Sequence, residues 1–413
     1  MSVRRGVLLF AIVLGLTLSP VLAGADLTRL VVVGDSLSAG YMNGSLLDRQ
    51  QEVGYAAFLA KMAGTELDLP LIAWPGIPNV ITLDPGPPPA LARVPGQSPG
   101  RIDPMLQATD LAVPGQDTRE CLELRPDLPV DSMTDLVLGL PGLYLGEARS
   151  QVEWAEVLQP TTIVLWIGNN DLLGAAVLAD PAFLTPFEDF AAAYSEVVDR
   201  LAATGASLVI ANLPDVKVIP YLTSWDEISL LSGLGPDATR ALLGIGPGDF
   251  VTMDGMDLVR AILAGEAQGP LPPNVVLTAA EAAEIDAAAE RFNDFIARKA
   301  DEVGAVLVDI FSLTRRLDAT GFTGCGRHLS SHYLGGIFSL DGVHPTASGY
   351  AIVANEFIRA MNAGLGTAIP EVPLCRVIRD DPLVPRGYAI PASLLPGSGS
   401  RETARATRRL FAP

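Results

Sequence analysis

The chain has 413 residues, 49% hydrophobic and 18% charged, a composition that supplies a large core and excludes disordered, collagen-like and coiled-coil classes. Lys plus Arg is 28 against 47 Asp plus Glu, a net charge of −19, which repels nucleic-acid backbones and argues against such a partner. Three cysteines without a CxxC pair are too few for a disulfide scaffold, and three histidines confine any imidazole chemistry to His328, His332 or His344.

In chain order, the first segment reads as an address. Arg4 and Arg5 precede an apolar run from Gly6 to Leu18, short of the roughly 20 residues that span a bilayer. Val21-Leu22-Ala23 then offers small residues at the two positions a signal peptidase reads. Residues 1–23 are therefore expected to be a cleaved signal peptide, and the rest a secreted or periplasmic protein with no integral membrane segment.

Beyond it, two periods alternate. Leu30-Val31-Val32-Val33 is a continuous β-branched run, the pattern of a strand buried on both faces. Thr162–Ile167, Ser207–Ile210 and Ala305–Ile310 repeat it. Between them, Phe187 to Ala203 has apolar residues at helical spacing and ends at Gly205. Thr278 to Val303 is a long Ala/Glu-rich helix opened by a Thr278/Glu281 capping box. Strands alternating with helices predict a parallel sheet with helices on both faces, whose ligands bind at the carboxyl ends of the strands. Two stretches break the alternation. Residues 75–104, dense in Pro and Gly, read as an excursion, and 221–273 as a mixed insertion able to cap the site. The division expected is a catalytic domain over 24–370 carrying these insertions, then a strap and basic tail over 371–413.

Four short stretches carry chemistry. The first strand runs into Gly34-Asp35-Ser36-Leu37, and a helix starting there would favour negative charge beside Ser36. Asp341-Gly342-Val343-His344 lets a carboxylate hold the imidazole Nδ1–H and leaves Nε2 free to take a proton from a serine. The second strand run ends in Gly168-Asn169-Asn170-Asp171, whose side-chain amide can donate to an oxyanion. Pro114-Gly115 offers a bare backbone N–H to the same point. Each alone is also ordinary turn or capping chemistry.

Together and in this order, the four stretches resemble the SGNH (GDSL) hydrolase family. The family's GxND falls on Gly168–Asp171, which places its asparagine at Asn170, and its DxxH on Asp341 and His344. Ala211-Asn212-Leu213-Pro214-Asp215 is similar to a turn frequent in secreted bacterial members. Where the family often has Asn before the apolar pair of its second block, this chain has Asp110. The resemblance implies a flavodoxin-like three-layer α/β/α sandwich and hydrolysis of small-molecule or lipid esters without metal or cofactor. Ser36 would be the nucleophile, His344 the base and Asp341 its orienting acid. The amides of Ser36 and Gly115 and the Asn170 side chain would form the oxyanion hole. A carboxylic esterase or lipase is the leading reading, because Leu, Ala and Pro crowd the excursions. A carbohydrate O-acetyl esterase and a catalytically silent binding domain stand beside it.

Two competing motifs need weighing. Gly96-Gln97-Ser98-Pro99-Gly100 fits a G-x-S-x-G elbow, but in a Pro-rich stretch without the strand and helix that elbow needs. Cys325, His328 and His332 have metal-ligand spacing if helical, yet Gly324, Gly326, Gly335 and Gly336 argue for a loop. The pairing among Cys121, Cys325 and Cys375 stays open.

Overall fold

The computed structural model describes residues 25–84 and 90–386. The expected signal peptide and the final tail lie outside the described residues. Four strands form the central sheet: β1 (Leu30–Gly34), β2 (Thr162–Trp166), β3 (Ser207–Ala211) and β4 (Val306–Val308). All neighbours are parallel, with Leu30 opposite Thr162, Thr162 opposite Ser207 and Val209 opposite Val306. Every residue of β1 and β2 is buried, so their unbroken apolar runs follow from helices covering both faces.

Residues 109–113 run along the free edge of β1. The Val32 amide donates to the Thr109 carbonyl (3.0 Å), and the Leu111 and Val113 amides donate to Val32 and Gly34 carbonyls (2.9 and 3.1 Å). Counted as the second of five in chain order, this segment makes the sheet order 2-1-3-4-5, that of flavodoxin-like folds. The order reverses beside β1, and the crevice at that switch point is where ligands of such sheets bind.

On one face, Tyr55 of the Tyr55–Ala63 helix stacks on Phe357 of the Ala347–Gly364 helix (centroids 4.5 Å), and both rings meet Trp166 of β2. On the other, the Phe187–Ala203 and Ala279–Glu302 helices meet through stacked Phe190 and Phe292 (4.0 Å). Both reciprocal bonds of the Thr278/Glu281 capping box are present. The fourth strand is shorter than its sequence run. Asp309 leaves the strand and caps the Ile310–Thr320 helix, its carboxylate accepting the Ser312 amide, and this local bond overrides the β-branched pattern.

The excursion over 75–104 contains an antiparallel hairpin, Ile81–Asp84 with Ala90–Arg93. The 221–273 insertion has its own small core around Trp225, Ile228, Val251 and Val259, and its three-stranded sheet of Leu222–Ser224, Phe250–Thr252 and Val276–Leu277 carries the unit a few residues past the expected boundary. It reaches the loop before the Ala347–Gly364 helix through Tyr221, whose amide donates to the Gly342 carbonyl (2.8 Å). After Pro370 the chain returns as a strap. Val372 exchanges two hydrogen bonds with Asn355, and the Leu374–Asp380 helix lies against the Ala347–Gly364 helix. Cys375 of that helix is disulfide-bonded to Cys325, while Cys121 is a buried free thiol. Among the described residues, no helix is long and apolar enough to cross a membrane.

Candidate active site

Ser36 sits in the turn that leaves β1. No helix begins there: residues 36–40 form successive turns, with the Ser38 and Ala39 amides donating to the Asp35 carbonyl and the Tyr41 amide to the Ser36 carbonyl. A helix dipole beside Ser36, which would have required a helix starting there, is not supplied, because the chain tightens into turns closed on Asp35. The turn depends on Gly34. A Cβ there would stand 2.4 Å from Ser38 Oγ and 2.7 Å from the Trp166 carbonyl, so no larger residue fits between β1 and β2.

His344 comes from the loop before the Ala347–Gly364 helix. Its Nε2 stands 2.8 Å from Ser36 Oγ and its Nδ1 3.1 Å from Asp341 Oδ2. Ser36, His344 and Asp341 are 5%, 2% and 1% exposed, so the bonds form in a water-poor setting where electrostatic interactions are strong. The Asp341 carboxylate also receives the Val343 and His344 amides on Oδ1 (both 2.9 Å) and the Gly44 amide on Oδ2 (2.7 Å). Burial pushes this carboxyl up, but the charge of His344 and these hydrogen bonds outweigh it and hold Asp341 below the ordinary carboxylate range. An ionised Asp341 fixes the proton on Nδ1 and leaves Nε2 to accept from Ser36.

The Gly44 donor is itself fixed. Asn43, in the left-handed region at φ 53°, donates its amide to Ser339 Oγ (3.0 Å) and accepts the Leu340 amide on Oδ1 (3.0 Å). Its side chain thus ties the first turn of the chain to the Asp341 turn. Sequence reading missed this residue; the Asn43-Gly44 pair, a strong turn signal just after the serine, was the available clue.

Asn170 opens the Asn170–Leu178 helix beyond β2, at the carboxyl end of the strand next to Ser36. One hydrogen of its Nδ2 goes to the Gln116 carbonyl (2.7 Å), which orients the amide and leaves the second hydrogen for another acceptor. Gly115 has φ 91°, which favours glycine, and follows the 109–113 segment that β1 holds in place. Among the described residues, neither the Ser36 nor the Gly115 amide has a protein acceptor. The neighbouring Asn169, unassigned by the sequence, donates to Asp35 Oδ2 (2.7 Å). Burial pushes Asp35 up to about 6, against the pull of the Asn169 and Leu37 hydrogen bonds.

The competing motifs lie elsewhere. Ser98 Oγ donates to the Ala73 carbonyl (2.7 Å), with no imidazole bonded to it. His328 and Cys325 belong to a hairpin, Phe322–Gly324 with Arg327–Leu329, rather than an irregular loop. Its two-residue turn takes positive φ at both Cys325 and Gly326, the mirror-image geometry that suits strand twist. His328 bonds Thr323 and His332 faces Glu227. Among the described residues, no three His, Cys, Asp or Glu side chains converge to hold a metal ion.

A family model described as GDSL-like lipase/acylhydrolase matches residues 30–357. None of the curated proteins matches the chain. Among solved structures the chain is similar to LAE5, an alpha/beta hydrolase enzyme from the metagenome of Lake Arreo, Spain, at 15% identity, covering 82% of this chain and 96% of that one with a TM-score of 0.38. It is also similar to the psychrotrophic esterase EstA from Pseudoalteromonas sp. (12% identity, 82% and 100% covered, TM-score 0.33) and to the acetyl xylan esterase AlAXEase (13%, 80% and 98%, TM-score 0.33). These three likenesses are too distant to bear on substrate.

Proposed function

The chain belongs to the GDSL-like lipase/acylhydrolase family, and from that premise we propose that it is an exported serine hydrolase that cleaves carboxylic esters through an acyl-enzyme on Ser36. The observation that carries this reading is the buried relay from Ser36 Oγ through His344 to Asp341, at 2.8 and 3.1 Å.

In this mechanism Ser36 Oγ attacks the ester carbonyl while His344 Nε2 takes its proton. The imidazolium is stabilised by Asp341 and then protonates the leaving alcohol. Water attacks the acyl-enzyme by the same relay and releases the acid. The carbonyl oxygen acquires negative charge at each addition. The unpaired amides of Ser36 and Gly115 and the second Nδ2 hydrogen of Asn170 are the donors for it, each worth roughly 3–4 kcal/mol in the transition state. Every charge that develops thus meets a group of this chain.

Export is part of the proposal. It is supported by the leader-like residues 1–23 and by the Cys325–Cys375 disulfide, a bond that persists in oxidising compartments. The test is hydrolysis of p-nitrophenyl esters from acetate to decanoate, before and after dialysis against EDTA, with acetylated xylan as a separate substrate. Turnover of the alkyl esters that survives EDTA is the expected result. Release of acetate from xylan alone would move the reading to a carbohydrate esterase, and no turnover would leave a silent binding domain.

A further inference from the structure

A cavity of about 830 Å³ lies between the Tyr55–Ala63 helix, the Ile81–Asp84 strand and the C-terminal strap, and borders the Asn43–Leu340 contact behind the relay. Ser36, Gly115, Asn170 and His344 do not line it. Its volume falls within the roughly 300–1,000 Å³ of small-molecule sites. Met42, Phe58, Met62, Leu83, Val377 and Leu383 make its walls apolar.

Its charges are unusual for a chain of net charge −19. Arg49, Lys61 and Arg376 line the cavity; none makes a salt bridge among the described residues, although the Arg376 charge is felt by Asp380 on the same helix. Arg49 rests over the half-exposed Trp74 ring, 4.1 Å from its centroid. The two acids of the lining are committed elsewhere: Asp380 pairs with Arg379 (3.0 Å), and Asp381 accepts the Ser348 amide and hydroxyl (2.8 and 2.7 Å). Gln50, 7% exposed, also lines the cavity, and its Oε1 has no donor among the described residues.

An apolar chamber lined by three cations that form no salt bridge, against two acids held by other partners, fits a molecule with a long alkyl body and one anionic head. We propose that this cavity binds a single long-chain fatty-acid anion, its chain among the six apolar side chains and its carboxylate between Arg49, Lys61 and Arg376. The bound carboxylate supplies a salt-bridge partner that these cations lack, and the chain removes apolar wall from water. Binding there does not require turnover at Ser36.

The test is isothermal titration of the full-length Ser36→Ala protein with saturated fatty acids from octanoate to palmitate, beside thermal melting in their presence. One equivalent is expected to bind, with affinity rising about fourfold per added methylene until the chamber fills, and the melting temperature should rise with it. Lys61→Glu and Arg376→Glu lie on different helices, so failure of one to fold leaves the other. Each should weaken binding about tenfold or more, as should the cavity-filling Val377→Trp. Dibromostearate should quench tryptophan fluorescence, and Trp74→Phe should remove most of that quenching without abolishing the calorimetric signal. No saturable binding up to about 1 mM, or binding that none of the three variants weakens, would overturn the proposal.

Discussion

Asp341 and Asp35 are buried to the same degree, each beside one member of the Ser36–His344 pair, yet their carboxyls are pushed in opposite directions. Asp341 receives three backbone amides as well as the His344 ring and is held below the ordinary range. Asp35 receives the Leu37 amide and the Asn169 side chain, and burial carries it up to about 6. Among the described residues Asp110 receives only the Ala112 amide, and burial raises it to about 8. Burial alone would raise all three; the number of donors and the charge they face decide the outcome. Asp171 fits once its neighbour is counted. It accepts two bonds from Thr118, but burial and then the Asp117 charge push it up to about 7. Of these four, the carboxylate that must stay ionised to serve the histidine is the one that faces the histidine and three backbone amides.

That contrast can be broken at several points, and the largest effects belong to the relay itself. Ser36→Ala should lower kcat by about 10³-fold or more in a folded protein. His344→Ala should be nearly as damaging, and the double variant hardly worse, because nucleophile and base act as a unit. Steady-state kinetics on p-nitrophenyl butyrate reads this, and additive losses would mean that the two residues act separately.

Asp341→Ala should leave more activity than either, since Asp341 orients and stabilises the imidazolium without touching the substrate. A loss as large as that of Ser36→Ala would give Asp341 a more direct role. Asn43→Ala sharpens the same point from a distance. Without the Leu340 bond the Gly44 amide loses its fixed aim at Asp341, and kcat should fall roughly tenfold with KM little changed. A fall in melting temperature with kcat untouched would reduce Asn43 to a structural turn.

The smallest expected effect is on stability alone. In the unfolded chain Asp110 titrates near the ordinary value of about 4, while in the folded protein it titrates at about 8. The folded state therefore holds the extra proton between those values, and stability falls as pH rises through that window. Asp110→Asn keeps an acceptor for Ala112 and removes the penalty. Its melting temperature should exceed that of the parent at pH 8, with the gain shrinking towards pH 4. A gain independent of pH would show that Asp110 is not the group titrating.

The sequence disclosed most of this frame. Four buried β-branched runs announced the parallel sheet, and the spacing of Asp341 and His344 announced their hydrogen bond. What it concealed was long-range. Nothing local says that residues 109–113 lie along β1, since the pairing depends on closing a long loop between Val32 and Asp110. The Asn43 contacts with Ser339 and Leu340 join positions about 300 apart in the chain and leave no periodic trace. The Cys325–Cys375 pairing was hidden for the same reason: three thiols allow several pairs, and the strap's path along the Ala347–Gly364 helix brings these two together. Whether a helix follows Ser36 was open in the sequence; turns form there, with the Asp35 carboxylate accepting the Leu37 amide.

Labelling the full-length protein with a fluorophosphonate and locating the adduct by peptide mass spectrometry tests the account's centre most directly. The arrangement of Ser36, His344 and Asp341 predicts one adduct per chain, on Ser36, that is lost in both Ser36→Ala and His344→Ala. An adduct on Ser98, or labelling of Ser36 that proceeds unchanged without His344, would contradict it.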